Sequence, residues 1–331
     1  MNIHYEAIGT VSLMQTLIGF LGNFFLIYHF IFHFISQKKP RCINLIFIQL
    51  CFANAIFLLS RGVPIVIFSW ELNNFLSDAE CKIIAYLQRV CRGFSLCSTC
   101  LLSCFQAIAI SPSTRWWVDL KVKSPKAIIP CCVLCWILNL LMDVAVLVYT
   151  TGLRQNSTKI KSRDKQWFCS VDPYAMNSLK LQLWRSFYDS VFVVLMAVTS
   201  GYMVFLLYQH HQQVQHIHST NSSPRVSPEI RATKAILLLV STFFFSNSAC
   251  SVLTIYASFS EVHRPWLFYV PMTLSMSFPV VSPFVLISSE THVPWEFCCF
   301  LQVIKGSSAT SRSCQIHREP QNQILGSRWE N

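Results

Sequence analysis

Two arginines set inside an apolar run are the strongest chemical signal in this chain. Between Cys81 and Ala109 the sequence is apolar enough to cross a bilayer, yet it carries Lys82, Arg89 and Arg92. At 100° per residue Arg89 falls nearly beneath Lys82, and Arg92 lies within about 80° of it. At 1.5 Å rise the two arginines sit about 12 Å and about 16 Å below Cys81. An arginine at that depth costs roughly 2.5–3.5 kcal/mol on insertion scales, so such residues face a bundle interior and mark a functional site. Asp189 and Asp143, in two other apolar runs, are the available acids. Two chemistries follow. One is an interhelical ion pair that holds the bundle together; the other is a cationic floor that receives an anionic or polar ligand group. Both hold if a ligand competes with the acid.

Cysteine is the next reactive type, with 15 in the chain. Most lie in apolar segments, where a free thiol behaves as a small hydrophobe. Cys81 and Cys169 instead flank the apolar runs and would face an oxidising compartment. A disulfide between them would close a long loop, an effect of about 4–5 kcal/mol at most in the chain-entropy picture. It would hold that loop as a roof over the bundle mouth; the alternative is two free thiols. Cys97 with Cys100, and Cys132 with Cys135, have Cys-x-x-Cys spacing, but metal or redox use needs a polar, accessible setting that lipid depth denies. His210, His211, His216 and His218 read as a solvated basic face in a polar loop. Cys298 and Cys299 follow the last apolar run and are candidates for S-palmitoylation. No phosphate-binding loop, dinucleotide glycine fingerprint, HExxH or GxSxG is found. No enzyme, metal or cofactor is expected.

The elements that must position these residues follow from composition. Of the 331 residues, 53% are hydrophobic and only 12% charged, against about 25% charged in a soluble domain. Disorder is excluded by the same balance. Seven spans of roughly 20 residues, the length that crosses a bilayer, fit at about 7–34, 43–69, 81–109, 127–151, 181–208, 231–259 and 266–289. The fold class is therefore an all-α membrane protein, a seven-transmembrane helix bundle over 1–289, with a largely disordered tail over 290–331. No internal repeat is visible, which weighs against transporters built on inverted repeats. The first apolar run lacks a basic n-region and a cleavage site, so it reads as a span rather than a signal peptide.

Orientation follows from basic residues in the short loops. The loop after span one holds Lys38, Lys39 and Arg41, and that after span three holds Arg115, Lys121, Lys123 and Lys126; the N-terminal stub and the stretch 70–80 hold none. The positive-inside rule puts the N-terminus outside and the C-terminus in the cytoplasm. The loop 152–180 conflicts, with Arg154, Lys159, Lys161, Arg163 and Lys165, but it also carries the glycosylation sequon at Asn156. The net charge of +11 lies largely beside spans, where it meets anionic membrane lipid; no soluble basic face exists for nucleic acid.

The run Leu101 to Lys123, LLSCFQAIAISPSTRWWVDLKVK, resembles the signature of vomeronasal type-1 receptors, a pheromone-receptor family of G-protein-coupled receptors. LSRGVP from Leu59, QRVCRGFSLCSTC from Gln88, PCCVLCWILNLLMD from Pro130, the long run from Gln212 and FPVVSPFVLIS from Phe278 agree. The resemblance runs from about residue 10 to about residue 305. It implies a plasma-membrane receptor of vomeronasal sensory neurons that binds small pheromonal or odorous molecules in the bundle and activates an inhibitory-class heterotrimeric G protein. Cys81 and Cys169 match the outer disulfide pair, Asn156 the glycosylation site, Arg89 and Arg92 the span-three arginines, and Asp189 the span-five acid. Phe105-Gln106-Ala107 stands where most rhodopsin-like receptors have Asp-Arg-Tyr, as this family's pattern does. Gln88 stands where a His is usual, Tyr188 where a Pro is usual, and Asp143 where an Asn is common.

The resulting expectation is a receptor with Gln88, Arg89, Arg92, Tyr188 and Asp189 at the ligand site. Arg115, Lys121, Lys123, Arg225 and Arg231 are expected on the surface that meets the G protein. A transporter or channel would need charges along a continuous path, whereas here they cluster in the outer half. A non-signalling co-receptor or trafficking partner is the other alternative.

Overall fold

The computed structural model describes residues 3–36, 43–70, 77–112, 114–152, 169–171, 176–217, 228–259 and 266–289. In chain order these form α1 (Ile3–Ser36), α2 (Ile43–Ser69), α3 (Asp78–Ile110), α4 (Arg115–Asp143), α5 (Val146–Tyr149), β1 (Thr150–Gly152), β2 (Cys169–Val171), α6 (Met176–Ile217), α7 (Pro228–Phe259), α8 (Trp266–Ser275) and α9 (Ser277–Ser289). Among them are 7 stretches long and apolar enough to cross a membrane. Helices α4 and α5 form the fourth span, α6 the fifth, α7 the sixth, and α8 with α9 the seventh.

Local sequence explains where the helices start and bend. Ser77 and Glu80 close a capping box at the head of α3: the Ser77 hydroxyl accepts from the Glu80 N–H, and the Glu80 carboxylate accepts from the Ser77 N–H at 2.8 Å. Each satisfies a donor that the first helical turn would otherwise leave orphaned. Prolines inside spans have the opposite effect, since each lacks an N–H and frees the carbonyl four residues earlier. Pro64 frees the Ser60 carbonyl, which accepts from Gln88 Nε2 of α3 at 2.8 Å. Pro283 frees the Pro279 carbonyl, which accepts from Asn23 Nδ2 of α1 at 2.9 Å. Within lipid a backbone group must find its partner inside the protein, and here a neighbouring span supplies it.

The bundle centre is sewn by a buried polar ladder. Asn54 of α2 donates to Ser282 Oγ of α9 at 2.9 Å, and Ser95 of α3 donates to Asn54 Oδ1 at 2.8 Å. Around it packs an apolar core that includes Leu26, Leu50, Leu102, Met203, Leu239 and Leu286. Two glycines bring backbones close. A methyl on Gly62 would collide with Thr16 of α1, and one on Gly22 would press on the Pro283 ring. Outward faces are apolar too: Val133, Leu134, Ile137 and Leu141 on α4, and Val191, Val194, Leu195 and Val198 on α6, are exposed. Such faces fit hydrocarbon rather than water.

Three boundaries depart furthest from the sequence expectation. Helix α4 begins at Arg115, so Lys121, Lys123 and Lys126 stand on its first turns rather than in a loop. It ends at Asp143 and is followed by a turn, α5 and the strand β1, in place of an unbroken helix to 151. Strand β1 pairs antiparallel with β2, setting Gly152 opposite Cys169, a small two-stranded addition to an otherwise all-helical bundle. Helix α6 continues to Ile217, so His210, His211 and His216 are helical; a span already formed propagates through polar residues at little cost. His218 and the tail 290–331 lie outside the described residues.

The proline clasp on α1 yields a double-mutant expectation. Asn23→Leu leaves the buried Pro279 carbonyl with only the longer contact from Ser282 Oγ at 3.4 Å and lowers stability by about 1–2 kcal/mol. Pro283→Ala, which restores an N–H within reach of that carbonyl, recovers part of the loss in the Asn23→Leu background. Thermal midpoints of the purified protein in detergent check both.

Candidate functional site

Helix α3 presents two charged faces separated by about 100°. Arg89 and Gly93 lie one turn apart on the first, which meets α4 and α6; Gln88 and Arg92 lie one turn apart on the second, beside α2. The two faces differ in how closely their charges are paired, although Arg92 on the second lies within Coulombic reach of Asp143 and Arg89 on the first.

On the first face the hub is Arg185 of α6. Its Nη1 is 2.6 Å from Asp143 Oδ2 of α4, and its Nε is 3.1 Å from Asp189 Oδ1 one turn along α6. Nη2 donates to Asn139 Oδ1 at 3.3 Å, and the guanidinium lies 5.4 Å from the Tyr188 ring centroid. The arrangement needs a glycine beneath it: a methyl on Gly93 would run into Arg185 Nη2 and Asn139 Oδ1. Asn139 also donates to Cys97 Sγ and to the Cys135 carbonyl, and the Tyr188 hydroxyl meets Cys97 Sγ at 3.4 Å. Arg89 adds its charge to the same cluster, within Coulombic reach of Asp143, Asp189 and Arg185.

From sequence, Asp143 and Asp189 are the acids available to Arg89 and Arg92; in the structure their close ion pairs go instead to Arg185. Arg185 stands near the end of its apolar run, where a long cation ordinarily snorkels to the interface. The spacing Arg185-x-x-x-Asp189 is the signal that could have found it, because residues four apart share a helix face. The side chain of Asp143 is 2% exposed and that of Arg185 12%, so this is a buried pair.

On the second face Gln88 bonds to α2 with both ends of its amide. Nε2 donates to the Ser60 carbonyl, and Oε1 accepts from Arg61 Nη1 at 2.9 Å. Arg61 is likewise hidden at the sequence level, inside the run LSRGVP. Arg92, one turn below Gln88, is exposed although α3 is the most buried of the spans. Arg61 lies within Coulombic reach of Arg92 and of Cys250 on α7, which sets this face toward the space between α2, α3 and α7.

Cys81, at the head of α3, is fully buried and disulfide-bonded. The four cysteines of the Cys-x-x-Cys runs, Cys97, Cys100, Cys132 and Cys135, are buried free thiols. No group of three or more His, Cys, Asp or Glu capable of holding a metal occurs among the described residues.

At the far end of the bundle, Gln106 Nε2 of α3 donates to Thr233 Oγ1 of α7 at 2.8 Å, both buried. Lys121 donates to the Ser111 carbonyl and Arg231 Nε to the Ser288 carbonyl, each at 2.7 Å. These two cations, expected on a partner-binding surface, are engaged in tying helix ends of this chain; Arg115 and Lys123 are exposed. Arg225, Asn156, Cys298 and Cys299 lie outside the described residues, as does the side chain of Cys169.

This architecture is the rhodopsin-like seven-helix fold. Squid rhodopsin superposes with a TM-score of 0.68, covering 89% of this chain and 82% of that one, at 16% identity, a likeness that shows the fold alone. The family is set by sequence. The profile of the vomeronasal organ pheromone receptor family matches residues 6–299. Human vomeronasal type-1 receptor 3 is 40% identical over 88% of this chain and 94% of its own length, and human vomeronasal type-1 receptor 1 is 38% identical over 88% and 82%. The rat vomeronasal type-1 receptor 100 is 34% identical over 83% and 84%. The chain belongs to the vomeronasal type-1 receptor family, and neither its family nor its fold is that of an enzyme.

The buried pair predicts an asymmetry among arginines. Arg185→Ala strands the Asp143 carboxylate and costs about 3–5 kcal/mol, read as loss of surface display and a lower thermal midpoint. Arg92→Ala breaks no hydrogen bond or ion pair among the described residues and leaves display near wild type.

Proposed function

We propose that this chain is a chemosensory receptor. It binds a small pheromonal or odorous molecule between its spans and signals through a heterotrimeric G protein of the inhibitory class. The observation that carries the reading is the second face of α3. A charged residue at span depth is expensive unless it is used, and Arg92 is exposed within a bundle whose described acids at that depth are taken by Arg185. In this reading the N-terminus is outside and the C-terminus cytoplasmic, in the plasma membrane of vomeronasal sensory neurons, with residues 1–289 as the receptor domain. Cys169 is the disulfide partner of Cys81, anchoring the 150–171 hairpin over the bundle mouth. Asn156 carries glycan, and Cys298 and Cys299 carry acyl chains on the inner leaflet. Gln88, Arg89, Tyr188 and Asp189 line or support the ligand site.

The Gln106–Thr233 hydrogen bond supplies the resting tie between spans three and six, where this family's pattern lacks an arginine. Ligand must favour the state in which that tie is open, because only differential affinity shifts an equilibrium. Arg115, Lys123 and Arg225 border the inner face that meets the G protein, and Lys121 and Arg231 hold its helix ends.

A screen of odorants in cells carrying a promiscuous G protein tests the proposal, and a chain that reaches the surface and answers nothing refutes it. Once a ligand is found, Arg92→Ala abolishes the response while surface display persists. Gln106→Ala removes a bond of about 0.5–1.5 kcal/mol and raises ligand-free signalling by roughly 2- to 10-fold. Glycosidase shifts the wild-type band on a gel, and Asn156→Gln removes that shift.

A further inference from the structure

The two arginines beside α2 lack what the cluster around Arg185 has. Arg61 makes one hydrogen bond, from Nη1 to Gln88, while its Nε is buried and has no acceptor among the described residues. Arg92 has no hydrogen-bond or ion-pair partner among the described residues. Gln88 holds them together: it bonds Arg61 across the helix gap and stands one turn above Arg92 on the same face of α3. The carboxylates at this depth are committed elsewhere, Asp143 and Asp189 both to Arg185. Two guanidiniums of like charge therefore lie within reach of each other with a buried donor unused, and Asp143, itself bonded to Arg185, reaches Arg92 only at Coulombic range. Like charges held close together at span depth are unfavourable until a counter-charge joins them, and guanidiniums suit planar or compact anions because several N–H groups point the same way.

We infer that Arg61 and Arg92, framed by Gln88, form an anion seat between spans two and three, and that the occupant is a singly charged group. That group is either an inorganic halide or the acid head of an organic ligand. Arg61 is thereby a binding residue, whereas Arg89 stays with the carboxylates of the other face. The inference deepens the receptor reading and rests on it for the identity of an organic occupant, but the seat itself is testable without signalling.

The test is the thermal midpoint of purified full-length protein in nanodiscs, with gluconate as the starting anion. Sodium chloride, sodium decanoate and uncharged decanamide are added separately. A filled seat raises the midpoint by about 2–4 °C, the shift that ligand at roughly ten times its dissociation constant gives a protein of this size. Decanoate without an equal effect of decanamide assigns the seat to an organic acid head; chloride alone assigns it to an inorganic ion. In either case Arg92→Gln and Arg61→Gln abolish the rise, and Arg92→Gln without added anion melts no lower than wild type, since it removes like-charge repulsion. The inference is overturned if neither chloride nor decanoate stabilises the protein, or if decanamide matches decanoate. Stabilisation that survives in both variants, or an Arg92→Gln protein that melts well below wild type, overturns it too. Absence of G-protein signalling in cells would sink the receptor reading and leave this measurement intact.

Discussion

The contact on which the site depends is the ion pair between Arg185 and Asp143. It joins spans four and five where α3 passes beneath them, and it does so over a glycine, because only Gly93 leaves room for the guanidinium. With Asp189 as a second acid, the cluster binds the carboxylates that lie deepest in the bundle. Removing them from circulation decides what the remaining arginines can be. Had Asp143 reached Arg92 instead, the face toward α2 would be neutral and structural. As built, the close ion pairs lie on one side of α3, and the arginine on the other side feels Asp143 only at longer range. A single helix thus serves as both girder and wall of a binding space.

The hydrogen bonds of the prolines explain how so regular a bundle acquires specific contacts. Hydrocarbon packing alone gives little directional preference between apolar helices. A carbonyl released by proline is different, because it demands one donor at one place. Pro64 demands Gln88, and Pro283 demands Asn23. The registers of α2 against α3 and of α1 against α9 are set by these demands, with the ladder Ser95–Asn54–Ser282 fixing the three-way junction between them.

Span number and approximate limits are legible in the sequence from apolar run length, because a bilayer core imposes a fixed minimum. The significance of Arg89 and Arg92 follows from the cost of burying charge. What stays hidden depends on partners far apart in sequence. Arg185 resembles an interfacial cation until Asp143 is found opposite it, and Arg61 looks like part of a family signature until Gln88 is seen to bond it. The helical continuation of α6 past Tyr208 and the small hairpin escape for a different reason. Polar composition predicts a loop, but an established helix or a neighbouring helix end can carry polar residues further than their own preference would.

The identity of residue 88 has a consequence for the conditions under which the bundle works. A side-chain amide accepts and donates at once and does not titrate, so its grip on Arg61 and on the Ser60 carbonyl is indifferent to acidity. An imidazole at this place would lose its acceptor nitrogen on protonation near neutrality and would then repel the guanidinium beside it. With glutamine at residue 88, the joint between α2 and α3 keeps its grip whatever the acidity of the fluid around it.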